Sequence, residues 1–348
     1  MAAKFRVGLD RGFLNAEGKL AWGSIGVEPL EAAAGVEVAF LPERLAEFRP
    51  GDIRGWQGLI LGGPVVGRAA FAEGAADLVV IARAGVGYDQ IDVDALTEND
   101  VALCTTPAAS RHAVASASFA YLLALAKRMA DKDRLVRQGR WDLRGAYCGN
   151  EIYQKTLGIL GFGNTGAEMA RLVAPFEMRV LTYDPYLNGE RAAELGVESV
   201  SLDRLMREAD FVCVHALLNE QTRGLVGARE LALMKPSAYF INCARGPIVD
   251  QAALIAALQS GRVAGAGLDV FEEEPLAPDS PLIRLENVML SPHTMAHTYE
   301  LSVWMGNINS EQMLAAARGE APGSVVNRAV LERPGFRAKL ARWRGARP

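Results

Sequence analysis

A glycine-rich turn opens at Gly161, with about 150 residues of chain in front of it. The segment TLGILGFGNTG (156–166) reads as an apolar strand running into Gly161-x-Gly163-x-x-Gly166, and RVLTYD (179–184) reads as the next strand. Asp184 ends that second strand 23 positions after Gly161, close to the roughly 20 expected of a βαβ unit that binds a dinucleotide. Each glycine has a separate task. Gly161 allows the tight turn out of the strand, Gly163 lets the backbone approach a pyrophosphate, and Gly166 lets the helix pack close to the sheet. The helix N-terminus offers free N–H groups and positive partial charge to phosphate. A carboxylate at Asp184 accepts from ribose hydroxyls and repels a 2′-phosphate, which favours NAD over NADP, although Arg191 leaves room for some NADP. The length in front of the motif means that a folded unit precedes the cofactor unit.

With 348 residues, half of them apolar, the chain can bury two cores. A net charge of −4 gives no global attraction to nucleic acid. The four cysteines (Cys104, Cys148, Cys213, Cys243) show no C-x-x-C spacing, and three lie in apolar strand-like runs, as reduced core thiols of a cytoplasmic protein would. No metal site is expected. MAAKFRVGLD runs directly into a strand, so no signal peptide is expected. No apolar run reaches the ~18 residues that argue for a bilayer span, and no membrane partner is expected.

Five short apolar runs, 5–10, 36–40, 58–61, 78–83 and 101–106, read as strands of a small parallel sheet. Ala113 to Ala130 reads as a helix buried on several faces. Strands follow at 157–160, 179–183, 211–215, 238–242, 264–269 and 287–290, giving a doubly wound sheet. Asp250 caps a helix over QAALIAALQS that Gly261 stops. LSVWMGNINSEQMLAAARG reads as one long amphipathic helix that could return to the first domain. From Glu332 onward six Arg or Lys face one Glu, which reads as a solvated helix or frayed tail.

In such sheets ligands bind beyond the carboxyl ends of the strands. NCARGPIVD (242–250) puts Arg245 there, GLDVFEEEP (267–275) puts Glu272, Glu273 and Glu274 there, and LSPHTMAHT (290–298) offers His293 and His297. Singly, each has an ordinary explanation as a surface ion pair or loop residue. Jointly they are the set that hydride transfer at a hydroxyl beside a carboxylate requires. A histidine titrates near neutrality and can move the hydroxyl proton. A glutamate on its other nitrogen fixes the tautomer, and a guanidinium forks onto the substrate carboxylate and C2 oxygen. His297 is the rival to His293, a further turn from the strand end.

The fingerprint, NCARG, DVFEEEP and SPH in this order resemble the D-isomer-specific 2-hydroxyacid dehydrogenase family, over roughly 1–327. The resemblance implies an α/β protein of two Rossmann-like domains with doubly wound parallel sheets. A flavodoxin-like substrate domain would be built from 1–106 and 299–348, with an NAD-binding Rossmann domain at 107–298 inserted. It implies a small 2-hydroxy or 2-keto acid substrate and usually a homodimer. By motif, Arg245 matches the substrate-binding arginine, Glu274 the histidine's partner and His293 the acid/base. RAGVGYDQID (83–92) matches the loop that holds the substrate carboxylate through Gly85, Val86 and Gly87, with the last two supplying amides. The resemblance also places Asn164, Thr165, Ala216, Cys243, Ala244, Asp269 and His293 at the cofactor.

The pattern departs in places. Ser116 follows Val114-Ala115 where the family has an acid. The loop after the third strand has Gly62 and Gly63 early and Arg68 late, so a phosphorylated substrate is poorly served, and no regulatory domain is expected to follow. Glu274 disfavours a formate dehydrogenase, which has glutamine there. Trp141 and Tyr147 are candidates to reach a partner's pocket, with buried packing the better expectation. The alternatives are an NAD(H)-sensing binding protein of the same fold and an NADPH-linked glyoxylate or hydroxypyruvate reductase.

Overall fold

A computed structural model describes residues 3–345 of the chain. It divides into two compact units, Met1–Ser110 with His297–Pro348, and Arg111–Ala296. The sequence reading set these limits at 106/107 and 298/299. The first division falls inside a continuous helix, Pro107–Ala126, so no loop marks it.

The first unit holds β1 (Phe5–Leu9), β2 (Val36–Phe40), β3 (Gly58–Leu61), β4 (Val80–Arg83) and β5 (Ala102–Cys104). They form one parallel sheet in the order β2-β1-β3-β4-β5. Chain direction across the sheet reverses between β1 and β3, and their carboxyl ends flank a crevice of the kind where ligands bind. The strands are apolar runs because both faces are covered. Val80 and Ala82 face one core with Phe5, Val7, Leu9 and Ile60. Ile81 faces the opposite core with Leu59, Leu61 and Leu103. The helix Tyr299–Ala317 belongs to this unit and adds Met313 and Ala316 to the first of these cores.

The basic C-terminal stretch is not a solvated tail. Pro334–Ala341 is a helix whose Phe336 and Leu340, four apart on one face, are buried in the same core. Lys339 turns inward and donates from Nζ to the carbonyls of Leu78, Asn99 and Asp100 at 2.9, 2.7 and 3.1 Å. Burial pulls its ammonium down to about 8. Residues 346–348 of that stretch lie outside the described residues.

The second unit is built on β6 (Thr156–Leu160), β7 (Arg179–Tyr183), β8 (Glu198–Ser199), β9 (Phe211–Val214), β10 (Tyr239–Asn242), β11 (Gly265–Leu268) and β12 (Val288–Leu290). All pairs are parallel, in the order β12-β11-β10-β9-β6-β7-β8, with the reversal between β6 and β9. Six of these strands match the sequence reading. The seventh, β8, was not expected, because two residues carry no periodicity. Phe211, Cys213, Tyr239 and Ile241 face one core and Val212, Val214 and Phe240 the other.

The helix expected over 113–130 starts earlier and stops sooner. It spans Pro107–Ala126, with proline at the first position, where its missing N–H is harmless. Arg128 then adopts a left-handed conformation (φ +52°), and a second helix, Met129–Arg137, leaves at 58°. No single helix among the described residues is long and apolar enough to cross a membrane. Among the described residues only this bent pair passes by length and composition together, and Ala115, Tyr121, Leu122 and Ala126 within it are core residues of the second unit. Trp141 does not pack as expected: it is 63% exposed, while the Tyr147 ring lies 4.6 Å under the Arg128 guanidinium. The helix Gln251–Gln259 is capped by Asp250, which accepts from the Ala253 N–H at 2.9 Å, and stops at Gly261, φ +70°.

Candidate active site

Because the second sheet is all parallel, the loops after its strands gather at one edge. The turn after β6 is shaped by contacts only glycine tolerates. A Cβ on Gly161 would lie 2.6 Å from backbone atoms of Ala216, and one on Gly166 would lie 2.4 Å from the Gly161 carbonyl oxygen. At Gly163 a Cβ would meet nothing within 4 Å, so that glycine faces open space at the start of the helix Asn164–Val173. The first amide to bond back in this helix is that of Ala167, to Gly163 O at 3.1 Å. The N–H groups of Asn164, Thr165 and Gly166 are therefore left for a ligand. Asp184, directly after β7, accepts from the N–H of Phe162 at 2.7 Å and of Tyr186 at 2.8 Å. The carboxylate is thus fixed beside the turn. Open space at Gly163, unspent amides and a fixed acid fit a dinucleotide. Arg191 donates to Asn164 Oδ1 at 3.2 Å, close to the same helix start.

Beyond β10, the buried Asn242 side chain shapes the Arg245 loop. Its Oδ1 accepts from Ala244 N at 3.0 Å and its Nδ2 donates to Arg245 O at 2.9 Å. Arg245 Nη1 donates to the Ala244 carbonyl at 2.8 Å. The next residue, Gly246, lies so close to the following loop that a Cβ would come within 1.9 Å of the Phe271 carbonyl carbon. That approach ties the Arg245 loop to the segment carrying the three glutamates. Glu272 serves the protein, accepting from Gln251 N at 3.1 Å. Glu274 accepts from Phe271 N at 3.0 Å through Oε1 and meets His293 Nδ1 at 2.7 Å through Oε2. Burial pushes the Glu274 carboxyl up, but the His293 hydrogen bond and charge, the Phe271 amide and the Arg245 charge together hold it below its usual range. With its side chain 43% exposed, His293 keeps an imidazole open to a substrate while its Nδ1 side is anchored.

Asp269, 3% exposed, positions the histidine loop. Its Oδ1 accepts from the N–H of Thr294 at 2.9 Å and of Met295 at 3.0 Å, and from the Ser291 hydroxyl. Tyr121 OH lies 2.5 Å from Ser291 Oγ. These bonds hold His293 in the left-handed region at φ +56°, where a non-glycine residue needs support.

In the first unit, the Gly85 N–H donates to Thr106 Oγ1 at 3.0 Å. Gly85 therefore shapes its loop (φ +131°), while the amides of Val86 and Gly87 show no protein acceptor among the described residues. Arg68 pairs with Glu98 and lies 3.8 Å from Asp92, so its charge is already engaged. His297 lies in this unit, edge-on to Trp22 with ring centroids 5.1 Å apart.

Residues 119–295 match the family model described as D-isomer specific 2-hydroxyacid dehydrogenase, NAD binding domain. The chain belongs to this family. It is 42% identical over 269 residues to a glyoxylate reductase of Korarchaeum cryptofilum, covering 76% of this chain and 81% of that one. It is 38% identical over 268 residues to a D-3-phosphoglycerate dehydrogenase of Archaeoglobus fulgidus, covering 77% of this chain but 51% of that one. The solved NADPH-dependent glyoxylate/hydroxypyruvate reductase of Sinorhizobium meliloti superposes with a TM-score of 0.78 at 27% identity, over 93% of this chain and 97% of that one. As a family member this dehydrogenase is an oxidoreductase acting on CH–OH groups.

The sequence reading gave no role to several residues of this edge. Asn242 stood in a quoted motif, but its bonds depend on the turn geometry. Asp269 was expected at the cofactor, not as the holder of the His293 loop. His215, directly after β9 and beside Ala216, was not singled out at all. Both its ring nitrogens are buried without a hydrogen-bond partner, and burial lowers its pKa to about 4, so the ring is neutral. Its signal was an imidazole closing the apolar run FVCV at the sheet's reversal point. Cys243 is also buried, its thiol pushed up to about 12 by burial, which suits a packing role over a nucleophilic one.

Proposed function

We propose that this chain reduces a 2-keto acid, or oxidises the corresponding D-2-hydroxy acid, with His293 as acid/base, Glu274 as its partner and Arg245 as the substrate-binding cation. The observation that carries the reading is the 2.7 Å bond from His293 Nδ1 to Glu274 Oε2, beside Arg245 and on the strand edge that carries the glycine turn. Asn164, Thr165, Gly166 and Asp184 would hold NAD, whose nicotinamide, when bound, exchanges hydride with C2 of the substrate. Glu274 keeps a proton on Nδ1 and leaves Nε2 to serve the C2 oxygen, giving a proton in reduction and taking one in oxidation. Arg245 neutralises the substrate carboxylate. The exposed Met129, Val136 and Trp141 cluster in sequence and suit a homodimer contact.

The test is NADH and NADPH oxidation followed with a panel of 2-keto acids. Turnover supports the reading. Tight NADH binding without turnover on any acid would point instead to a binding protein that senses NAD(H). Glu274→Gln is expected to keep NADH binding and to lower kcat for keto-acid reduction at least about tenfold, the loss of one charge-assisted hydrogen bond to the ring that moves the proton. An unchanged kcat contradicts the pairing.

A second cofactor reading has its own support. Arg191 stands at Asn164 and would favour a 2′-phosphate, and the Sinorhizobium meliloti relative is NADPH-dependent. Asp184 opposes it by charge repulsion. Asp184→Ala is expected to raise KM for NADH at least about tenfold, the loss of one or two hydrogen bonds to a charged group, and to improve KM for NADPH. Wild-type preference for NADPH would overturn the NAD assignment.

A further inference from the structure

Tyr121 brings a hydroxyl into the core of the second unit. It lies on the helix Pro107–Ala126, is 2% exposed, and shares its core with Leu122, Leu157 and Ile241. Its ring lies directly against β11, where a Cβ on Gly267 would come within 2.7 Å of Tyr121 Cγ and Cδ1. Glycine at that strand position makes room for the ring. Packing accounts for the ring but not for the hydroxyl, since a buried phenol is costly without hydrogen-bond partners.

That hydroxyl reaches the carboxyl ends of β11 and β12. It lies 2.5 Å from Ser291 Oγ and 3.3 Å from the Leu268 carbonyl oxygen, which already accepts from Ser291 N at 3.0 Å. Counting protons gives the chain a direction. Asp269 Oδ1 accepts from the amides of Thr294 and Met295, so it is an acceptor toward its third partner as well, and the Ser291 hydroxyl donates to it. Ser291 has a single hydroxyl proton, so Tyr121 is the donor to Ser291 Oγ. Burial pushes the phenol above its usual range, which keeps that proton in place. A donor on its oxygen makes the Ser291 hydroxyl a better donor in turn. The residue after His293 is thus tied through Asp269 and Ser291 to a buried helix, with every member of the chain in the second unit.

We propose that Tyr121 is a positioning residue for the acid/base: its hydroxyl anchors the far end of the chain Tyr121–Ser291–Asp269 and so fixes the direction of the His293 imidazole. The inference rests on the dehydrogenase reading of His293. A non-glycine residue at φ +56° stays there only where its surroundings over-determine it. Glu274 fixes the ring at Nδ1, and Asp269 fixes the backbone on which the ring stands. Without the phenol, Ser291 loses its donor and its hydroxyl is free to turn, which leaves Asp269 Oδ1 with the two amides alone. Small excursions of the loop then matter, because a reacting group must be held within about 0.5 Å of its productive place. Tyr121 acts only through the loop and needs no contact with substrate or cofactor.

The experiment compares the wild type with Tyr121→Phe, Ser291→Ala and the double variant. It follows reduction of glyoxylate, hydroxypyruvate, pyruvate and phenylpyruvate with NADH and with NADPH, and hydrogen–deuterium exchange over residues 291–296. Tyr121→Phe keeps the ring against Gly267 and removes only the hydroxyl. Its kcat is expected to fall about tenfold, the worth of one or two hydrogen bonds, while KM for the keto acid and NADH affinity stay within about twofold. The Thr294 and Met295 amides are expected to exchange at least about fivefold faster. The double variant is expected to lose no more than the larger single loss, because both changes cut one chain. Unchanged kcat or unchanged exchange overturns the inference and leaves the dehydrogenase standing. Losses that add across the two single variants overturn it too, as does a fall in kcat matched by an equal loss of NADH affinity, the mark of general loosening. No wild-type turnover of any of the four acids with either cofactor removes the dehydrogenase reading, and the role of Tyr121 with it. If circular dichroism shows Tyr121→Phe unfolded, Ser291→Ala carries the same expectations, and an unchanged kcat there overturns the inference.

Discussion

His293→Ala is expected to lower kcat for keto-acid reduction at least about 100-fold, the lower end of what a positioned acid/base contributes. NADH affinity, measured by fluorescence titration, is expected to stay within about twofold, because a ring bound to Glu274 serves proton transfer more than cofactor retention. The loss should fall on kcat and kcat/KM alike, the pattern of an interaction made in the transition state. The alternative histidine gives a control. His297 lies edge-on to Trp22, and it is His293 that Glu274 pairs with, so His297→Ala should cost far less than His293→Ala. Full activity in His293→Ala would end the acid/base assignment.

Arg245→Lys is expected to cut kcat/KM about 100-fold despite keeping the charge. A guanidinium can fork onto a carboxylate and a neighbouring oxygen at once, whereas an ammonium is a point charge on a flexible stem. The Arg245 loop is built for a defined direction. Asn242 holds the Ala244 amide and the Arg245 carbonyl, and Gly246 admits the close approach of Phe271. A lysine inherits this loop but not the fork. Both KM and kcat should suffer, since the guanidinium would hold the ground-state carboxylate and the developing charge at the C2 oxygen. The check is steady-state kinetics over a range of keto-acid concentrations wide enough to separate the two. A change confined to less than about threefold would remove Arg245 from the substrate.

Much of this architecture is legible in the residues because parallel strands covered on both faces must be apolar runs. FRVGL, GLIL and FVCV could be placed for that reason. β8 could not, since Glu198 and Ser199 carry no pattern and pair only because β7 offers an edge. The edge residues Arg245, Glu274 and His293 could be named because their motifs follow strands directly. What holds them was hidden. Asp269 reaches the His293 loop at residues 22, 25 and 26 positions away, and no local rule connects the two. The basic C-terminal stretch misled because charge was counted without direction. Lys339 sends its long stem inward to three carbonyls, and Phe336 and Leu340 cover the core beside it. Trp141 misled in the opposite sense, as a large apolar ring left outside.

The most direct test is a crystal structure of the protein with NAD and oxamate, a non-reacting mimic of a 2-keto acid. The account requires His293 Nε2 within about 2.6–3.2 Å of the oxygen of the inhibitor that stands for the C2 oxygen, with Glu274 still on Nδ1 and Arg245 on the carboxylate. Oxamate bound with its carbonyl away from His293, or held without Arg245, would contradict it.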